Sequence, residues 1–145
     1  VDERLELARR LGVKHAVNPV TVDSIAAIKE ITGGRMAEAV IEASGDARAI
    51  RNTLEYVAFA GRIALAGWPK NEIPLPTATI TRKELSIFGS RNSVGMFPES
   101  LRLISEGKID VSHLLTCSVQ IDEAPAMVKA IAENPGEFLK VTCLL

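Results

Sequence analysis

The sequence is poor in residues that hold metals or staple loops. Its 145 residues include two cysteines and two histidines. Cys117 and Cys143 stand far apart without metal-type spacing, and His15 and His113 are isolated. A zinc site needs about four converging ligands. The thiols therefore read as buried residues in a reducing cytoplasm, and the histidines as ordinary surface or structural ones. An excess of charge of one sign is also missing. Lys and Arg number 17 against 18 Asp and Glu, a formal net charge of −1. That leaves no basic footprint for nucleic acid or an anionic membrane surface. No apolar run approaches the roughly 20 residues that cross a bilayer. A signal-peptide pattern is absent as well, since the sequence opens on the charged amphipathic run "VDERLELARRLG". These absences point to a cytoplasmic protein and away from nucleic-acid and membrane partners.

What is present is an ordinary core-forming composition, 47% hydrophobic and 24% charged, enough for one domain. Residues 2–11 read as a helix stopped by Gly12. A short strand follows at His15-Ala16-Val17, closed by Asn18-Pro19. Val22, Ile25, Ala26 and Ile28 carry a helical period over about 22–31, broken at Gly33-Gly34. "EAVIEA" at 38–43 is a near-continuous apolar run suited to a strand covered on both faces. A helix is expected over 46–59 with Asp46 at its start, then a strand at 62–66, an extended crossing over 69–79 and a strand at 84–89. Beyond these come a helix at 97–106, an extended piece at 114–121, a helix capped by Asp122 with Pro125 in its first turn, and a last strand at 138–144.

Strands alternating with helices predict an α/β fold, a doubly wound Rossmann-type parallel sheet. Two successive strands end in corners of small residues, Ala43-Ser44-Gly45 and Ala66-Gly67. That edge of an open α/β sheet is where ligands lie, in the crevice outside the strand carboxyl ends. The glycine-rich G-x-G-x-x-G loop that cradles a pyrophosphate is not in the sequence. The opening helix also needs a sheet to lie on. The chain is therefore expected to be part of a larger fold whose first strand and glycine loop lie upstream. Glu42, Glu55 and Asp110 stand singly on a strand end, a helix and a turn, so no acid–base pair is assigned.

Five pieces in order, "DERLELARRLGVKHAVNP", "GGRMAEAVIEASG", "GRIALAGWP", "ELSIFGSRNS" and "FPESLRLISEGKID", resemble the carboxyl half of the zinc-type medium-chain alcohol dehydrogenases. The nearest likeness is to the sorbitol, threonine and hexonate dehydrogenase branch, and it covers all 145 residues. The resemblance implies a cofactor-binding portion over 1–90 and a segment over 91–145 that returns toward a catalytic domain. It implies NAD or NADP as cofactor, catalytic zinc with its ligands outside this chain, and a homo-oligomer, dimer or tetramer. The implied substrate is a small polyol or sugar acid. No residue of this chain is implied as catalytic.

Carried over position by position, the resemblance places Arg4 near the adenosine ribose or its phosphate, and Ser44 and Gly45 beside the adenine and its ribose. Ala66, Gly67 and Trp68 fall beside the nicotinamide ribose. Trp68 departs from the smaller apolar residue expected there, and forms either a pocket wall or a packing contact between domains. Ser90, Arg91 and Asn92 fall where a segment crosses the nicotinamide end, with Arg91 and Asn92 reaching the substrate. Lys140 falls near the pyrophosphate as a point charge. Arg4 and Lys140 also read plainly as solvated side chains, and Ser44-Gly45 as a simple helix-entry turn. Two other functions fit the same residues: a nucleotide-binding module without activity, and a zinc-free NADPH quinone reductase relative. Of these, "GSRNS" and "SEGKID" favour the zinc polyol branch.

Overall fold

The computed structural model describes residues 2–145, and the chain divides after Asn92 into two compact units. The first carries helices α1 (Asp2–Arg10), α2 (Ser24–Ile31), α3 (Ala47–Tyr56) and α4 (Thr77–Arg82), and strands β1 (Ala37–Glu42), β2 (Val57–Leu65) and β3 (Ser86–Gly89). The second carries α5 (Phe97–Ser105), β4 (Leu115–Gln120), α6 (Ala124–Glu133) and β5 (Lys140–Leu144). In the first unit the sheet runs β1-β2-β3, parallel throughout. In the second, β4 and β5 pair in parallel. A helix lies between each pair of successive strands, so the α/β reading holds.

Local chemistry sets the helix boundaries. Asp23 and Asp46 each cap a helix, and the Asp46 carboxylate accepts from the Arg48 and Ala49 amides at 2.9 Å each. Helix α3 turns Ile50, Thr53 and Leu54 inward as one stripe. Its far end is closed from a distance: the Lys83 ammonium donates to the carbonyls of Leu54 at 2.6 Å and Val57 at 3.0 Å. A cation on the last carbonyls of a helix satisfies orphan acceptors and opposes the helix dipole. Ile50, Leu54, Val57 and Ile63 form the buried centre. Val40, Leu65, Leu75, Ile80, Leu85 and Ile87 are packed against the cluster of Leu54, Val57 and Ile63.

The sheet register sorts the side chains. Val40, Ile63 and Ile87 lie side by side and belong to this core. One residue further along, Ile41, Ala64 and Phe88 form the adjacent row on the opposite face. There Ile41 is 76% exposed and Phe88 55%. The apolar run of β1 predicts a strand covered on both faces, but these residues cover only one. An apolar run cannot by itself say how many faces a chain covers.

Other boundaries move for identifiable reasons. Residues 15–17 join no ladder among the described residues; the Ala16 carbonyl instead accepts from the Arg9 guanidinium at 3.1 Å. Three strands rather than four therefore precede residue 90. Helix α3 stops at Tyr56, and residues 57–59, expected as helix, begin β2. A bulge interrupts the β1–β2 ladder between Ala37 and Ala39, and on β2 Ala60 takes a left-handed φ of 53°. The crossing over 69–79 runs into the short helix α4. Asp122 lies inside a 3₁₀ turn over Ile121–Glu123, where Gln120 and Glu123 form the capping box, so it does not cap α6. Cys143 is exposed and Cys117 half-buried, both free, which corrects their assignment as buried thiols.

Leu54 is 1% exposed at the centre of the cluster. Leu54→Ala is expected to destabilise the first unit by about 2–5 kcal/mol, read as a lower urea midpoint with an unchanged slope. A loss below about 1 kcal/mol would mean that the α3–sheet contact is not the core of this unit.

Candidate functional site

Parallel register brings the carboxyl ends of the three strands level. Glu42 pairs with Leu65, and Leu65 with Gly89. The first two are followed by the small-residue corners read from the sequence, Ala43-Ser44-Gly45 and Ala66-Gly67 with Trp68 next, and the third by the Ser90-Arg91-Asn92 segment that the resemblance names. The corners are tied across the edge by backbone bonds. Ala66 and Gly67 donate to the Glu42 carbonyl at 2.8 and 2.9 Å, and Ser90 donates to the Leu65 carbonyl at 2.9 Å. Eight of the ten candidate residues thus share one sheet edge.

Glu42 organises this edge. It is 4% exposed, and its carboxylate accepts from the Ser44 amide at 2.8 Å, the Ser44 hydroxyl, and the Gly45 amide at 3.1 Å. Burying an unpartnered carboxylate is costly, and these donors offset that cost. Sequence reasoning set Glu42 aside as an unpaired acid. The available signal was an acid ending an otherwise apolar strand, two and three residues before Ser44 and Gly45.

The two corners approach each other very closely. A Cβ on Gly67 would collide with the Gly45 amide nitrogen and come within 2.5 Å of Glu42 Oε2. A Cβ on Gly45, whose φ is +72°, would lie 2.6 Å from the Trp68 carbonyl oxygen. Glycine at both positions is required by backbone meeting backbone, before any ligand is considered.

Beside these corners lies a cleft of about 450 Å³ lined by Ser44, Gly45, Asp46, Ala47 and the run from Trp68 to Ile73. Helix α3 begins at its wall, but Asp46 already occupies two of the first amides of that helix. The cleft therefore suits neutral, hydrogen-bonding groups such as a ribose better than a phosphate. Further along the edge, the Arg91 guanidinium stacks over the Trp68 ring at 4.1 Å from its centroid. Asn92 adopts a left-handed φ of 56°, which asparagine tolerates well.

The two remaining candidates lie elsewhere. Arg4 is on the exposed part of α1 and does not line the cleft. Lys140 opens β5 in the second unit, exposed and paired in register with Leu115. The carboxylates held below their usual range are also in the second unit and open to solvent: Glu99 by Arg102, Glu106 by Lys108 and Arg102, and Asp110 by the Ser112 hydroxyl and amide. Such surface pairs are structural decoration of low energy. His113 sits 3.3 Å from Asp110 in the same exposed setting. Among the described residues no three His, Cys, Asp or Glu side chains converge as metal ligands, and no helix is long and apolar enough to cross a membrane.

A parallel sheet with helices between its strands and a crevice at the strand carboxyl ends defines the doubly wound class of α/β domain. Comparison with known proteins narrows the class: the family described as zinc-binding dehydrogenase matches residues 1–106, and the chain belongs to that family. A zinc-type alcohol dehydrogenase-like protein of Haemophilus influenzae is 50% identical over 99% of this chain and 42% of its own length. Sorbitol dehydrogenase of Bacillus subtilis is 30% identical over 95% of this chain and 39% of its own. An Escherichia coli alcohol dehydrogenase solved with NADH superposes with a TM-score of 0.87 at 25% identity, over all of this chain and 42% of that one. The chain thus spans about two fifths of the length of the curated relatives it matches.

The collision at Gly67 is directly testable against Gly89, where an added Cβ meets nothing within 4 Å. Gly67→Ala is expected to cost about 1–3 kcal/mol, as overpacking does, and Gly89→Ala less than about 1 kcal/mol. Thermal melts of the two variants measure the difference; equal melting temperatures would mean that the corners are not held together.

Proposed function

We propose that this chain supplies part of the cofactor site of a zinc-type, NAD(P)-dependent oxidoreductase that interconverts a secondary alcohol and its ketone, the alcohol being a polyol or sugar acid. One observation carries the reading: the register that levels Glu42, Leu65 and Gly89 and so aligns three corners along one crevice. Family membership and relatives named for sorbitol and for NADH binding support it.

In this reading, Ser44 and Gly45 face the adenosine ribose, while Ala66, Gly67 and Trp68 flank the nicotinamide ribose. The Ser90-Arg91-Asn92 segment crosses the nicotinamide end. When bound, the dinucleotide supplies the acceptor for hydride. The chain's own contribution is to hold the corners rigid, so that the reacting carbon and the acceptor meet in one geometry. Glu42 does this from beneath, through its carboxylate on one corner and its carbonyl on the next. Arg4 and Lys140 are assigned to the phosphate-bearing part, as charges without a fork in the case of Lys140. The described residues offer no zinc ligand set. We assign its ligands, and the glycine-rich loop, to an N-terminal half that completes the subunit. Residues 91–145 return toward that half, and the assembled protein is a cytoplasmic homo-oligomer.

The 145-residue chain alone is expected to give no turnover with NAD and polyols. Joined to an N-terminal half carrying a glycine loop and zinc ligands, it is expected to oxidise them. Clear turnover by the chain alone would overturn this division. In the joined subunit, Lys140→Ala is expected to weaken NADH binding about 10-fold without altering substrate preference. NADH fluorescence titration reads this, and an unchanged dissociation constant would return Lys140 to the role of a solvated strand residue.

A further inference from the structure

The Arg91 guanidinium is stacked at the surface on a Trp68 side chain that is itself 70% exposed. Its face rests on Trp68, 4.1 Å from the ring centroid. Among the described residues, no carboxylate lies within ion-pairing distance of it and no hydrogen bond consumes its N–H groups. Stacking engages the π face and leaves the in-plane edge free, and that edge is a fork of N–H donors. A free arginine spreads over many rotamers, whereas one laid on an indole keeps its fork in a fixed plane. The pair arises from the sheet. Leu65 and Gly89 are register partners, Trp68 is three residues beyond the first, and Arg91 two beyond the second. The fork is therefore anchored at the crevice edge by two neighbouring strands.

We infer that the stacked Trp68–Arg91 pair is a carboxylate receptor, and that the substrate class of this site is a hydroxy acid of the aldonate kind rather than a neutral polyol. The inference rests on the dehydrogenase reading above and sharpens it. A carboxylate offers two coplanar oxygens at the spacing of two guanidinium N–H groups, a bidentate match that adds geometric selection to charge. Neutral hydroxyls of a polyol can also accept from the fork, but they carry no charge and leave the cation uncompensated. Arg91 is the binding residue and Trp68 a positioning residue acting through it.

The test uses the complete subunit and two matched panels, the hexonates gluconate and galactonate and the hexitols sorbitol and galactitol. Arg91→Gln is expected to lower kcat/KM for hexonates roughly 10- to 100-fold, mainly through KM. For hexitols the change is expected to stay below about 3-fold. Trp68→Leu, which frees the guanidinium while leaving its charge, is expected to raise the hexonate KM several-fold with kcat maintained. Trp68→Phe, which keeps an aromatic face, is expected to restore most of it. Equal losses on both panels, or a wild type that turns over hexitols and refuses hexonates, would overturn the carboxylate assignment and leave the dehydrogenase reading standing. A wild type inactive on both panels would overturn that reading and this inference together.

Discussion

The Glu42 side chain is buried at the end of a strand, where among the described residues its carboxyl oxygens are met by hydrogen-bond donors and not by a cation. The donors are the Ser44 amide and hydroxyl and the Gly45 amide. They can reach it only if the chain doubles back immediately after β1. The carbonyl of the same residue takes the Ala66 and Gly67 amides, which bends the chain after β2 in the same place. One residue therefore folds two corners against each other. Their backbones then come so close that neither Gly45 nor Gly67 has room for a Cβ. The small residues at the strand ends are first a requirement of this contact. The open cleft beside them follows, because chain drawn together at one point leaves space between Asp46 and the run from Trp68 to Ile73.

Much of the architecture is legible in the sequence because it depends on local chemistry. Asp46 caps α3 as its position predicts, and the apolar runs at 38–43 and 62–66 do become neighbouring parallel strands. What escapes such reading depends on partners distant in sequence. The end of α3 is settled by Lys83, whose ammonium reaches carbonyls 26 and 29 residues earlier. Nothing around Tyr56 announces this, and a helical pattern read alone overruns into β2. The run at 15–17 has the composition of a strand, but a strand exists only where a ladder partner lies beside it. Asp122 has the chemistry of a cap, and loses the position to the Gln120–Glu123 pair on either side of it.

The candidate site divides along the same line. Two of its corners follow from the rule that ligands lie at strand carboxyl ends, so Ser44, Gly45, Ala66 and Gly67 could be named without coordinates, whereas Trp68 and Ser90 through Asn92 come from the family resemblance and are brought to the same edge by the register. The register then does something that spacing cannot, placing Trp68 under Arg91 although 22 residues separate them in the numbering. Glu42 was discounted because an acid with no partner in sequence looks idle, whereas its partners are the backbone amides of the next turn. Arg4 and Lys140 rest on the resemblance alone, since neither lines the crevice of the first unit.

The crevice is chemically asymmetric, and the asymmetry follows from how each strand end is closed. At the β1 end the helix that follows is capped by its own Asp46, so two of its leading amides are spent. An anion there would meet a carboxylate before it met an N–H group, and neutral hydroxyl-bearing groups are what that end admits. At the β3 end no helix follows directly: Ser90 is pinned to Leu65, and the next two residues carry a cation and a left-handed asparagine. Positive charge is displayed there on an aromatic support. In the proposed reading the two ends serve two molecules: the hydroxyl-bearing ribose of the cofactor lies at the β1 end, where Asp46 spends the leading amides, and the carboxylate of the substrate lies at the β3 end, where Arg91 presents its charge.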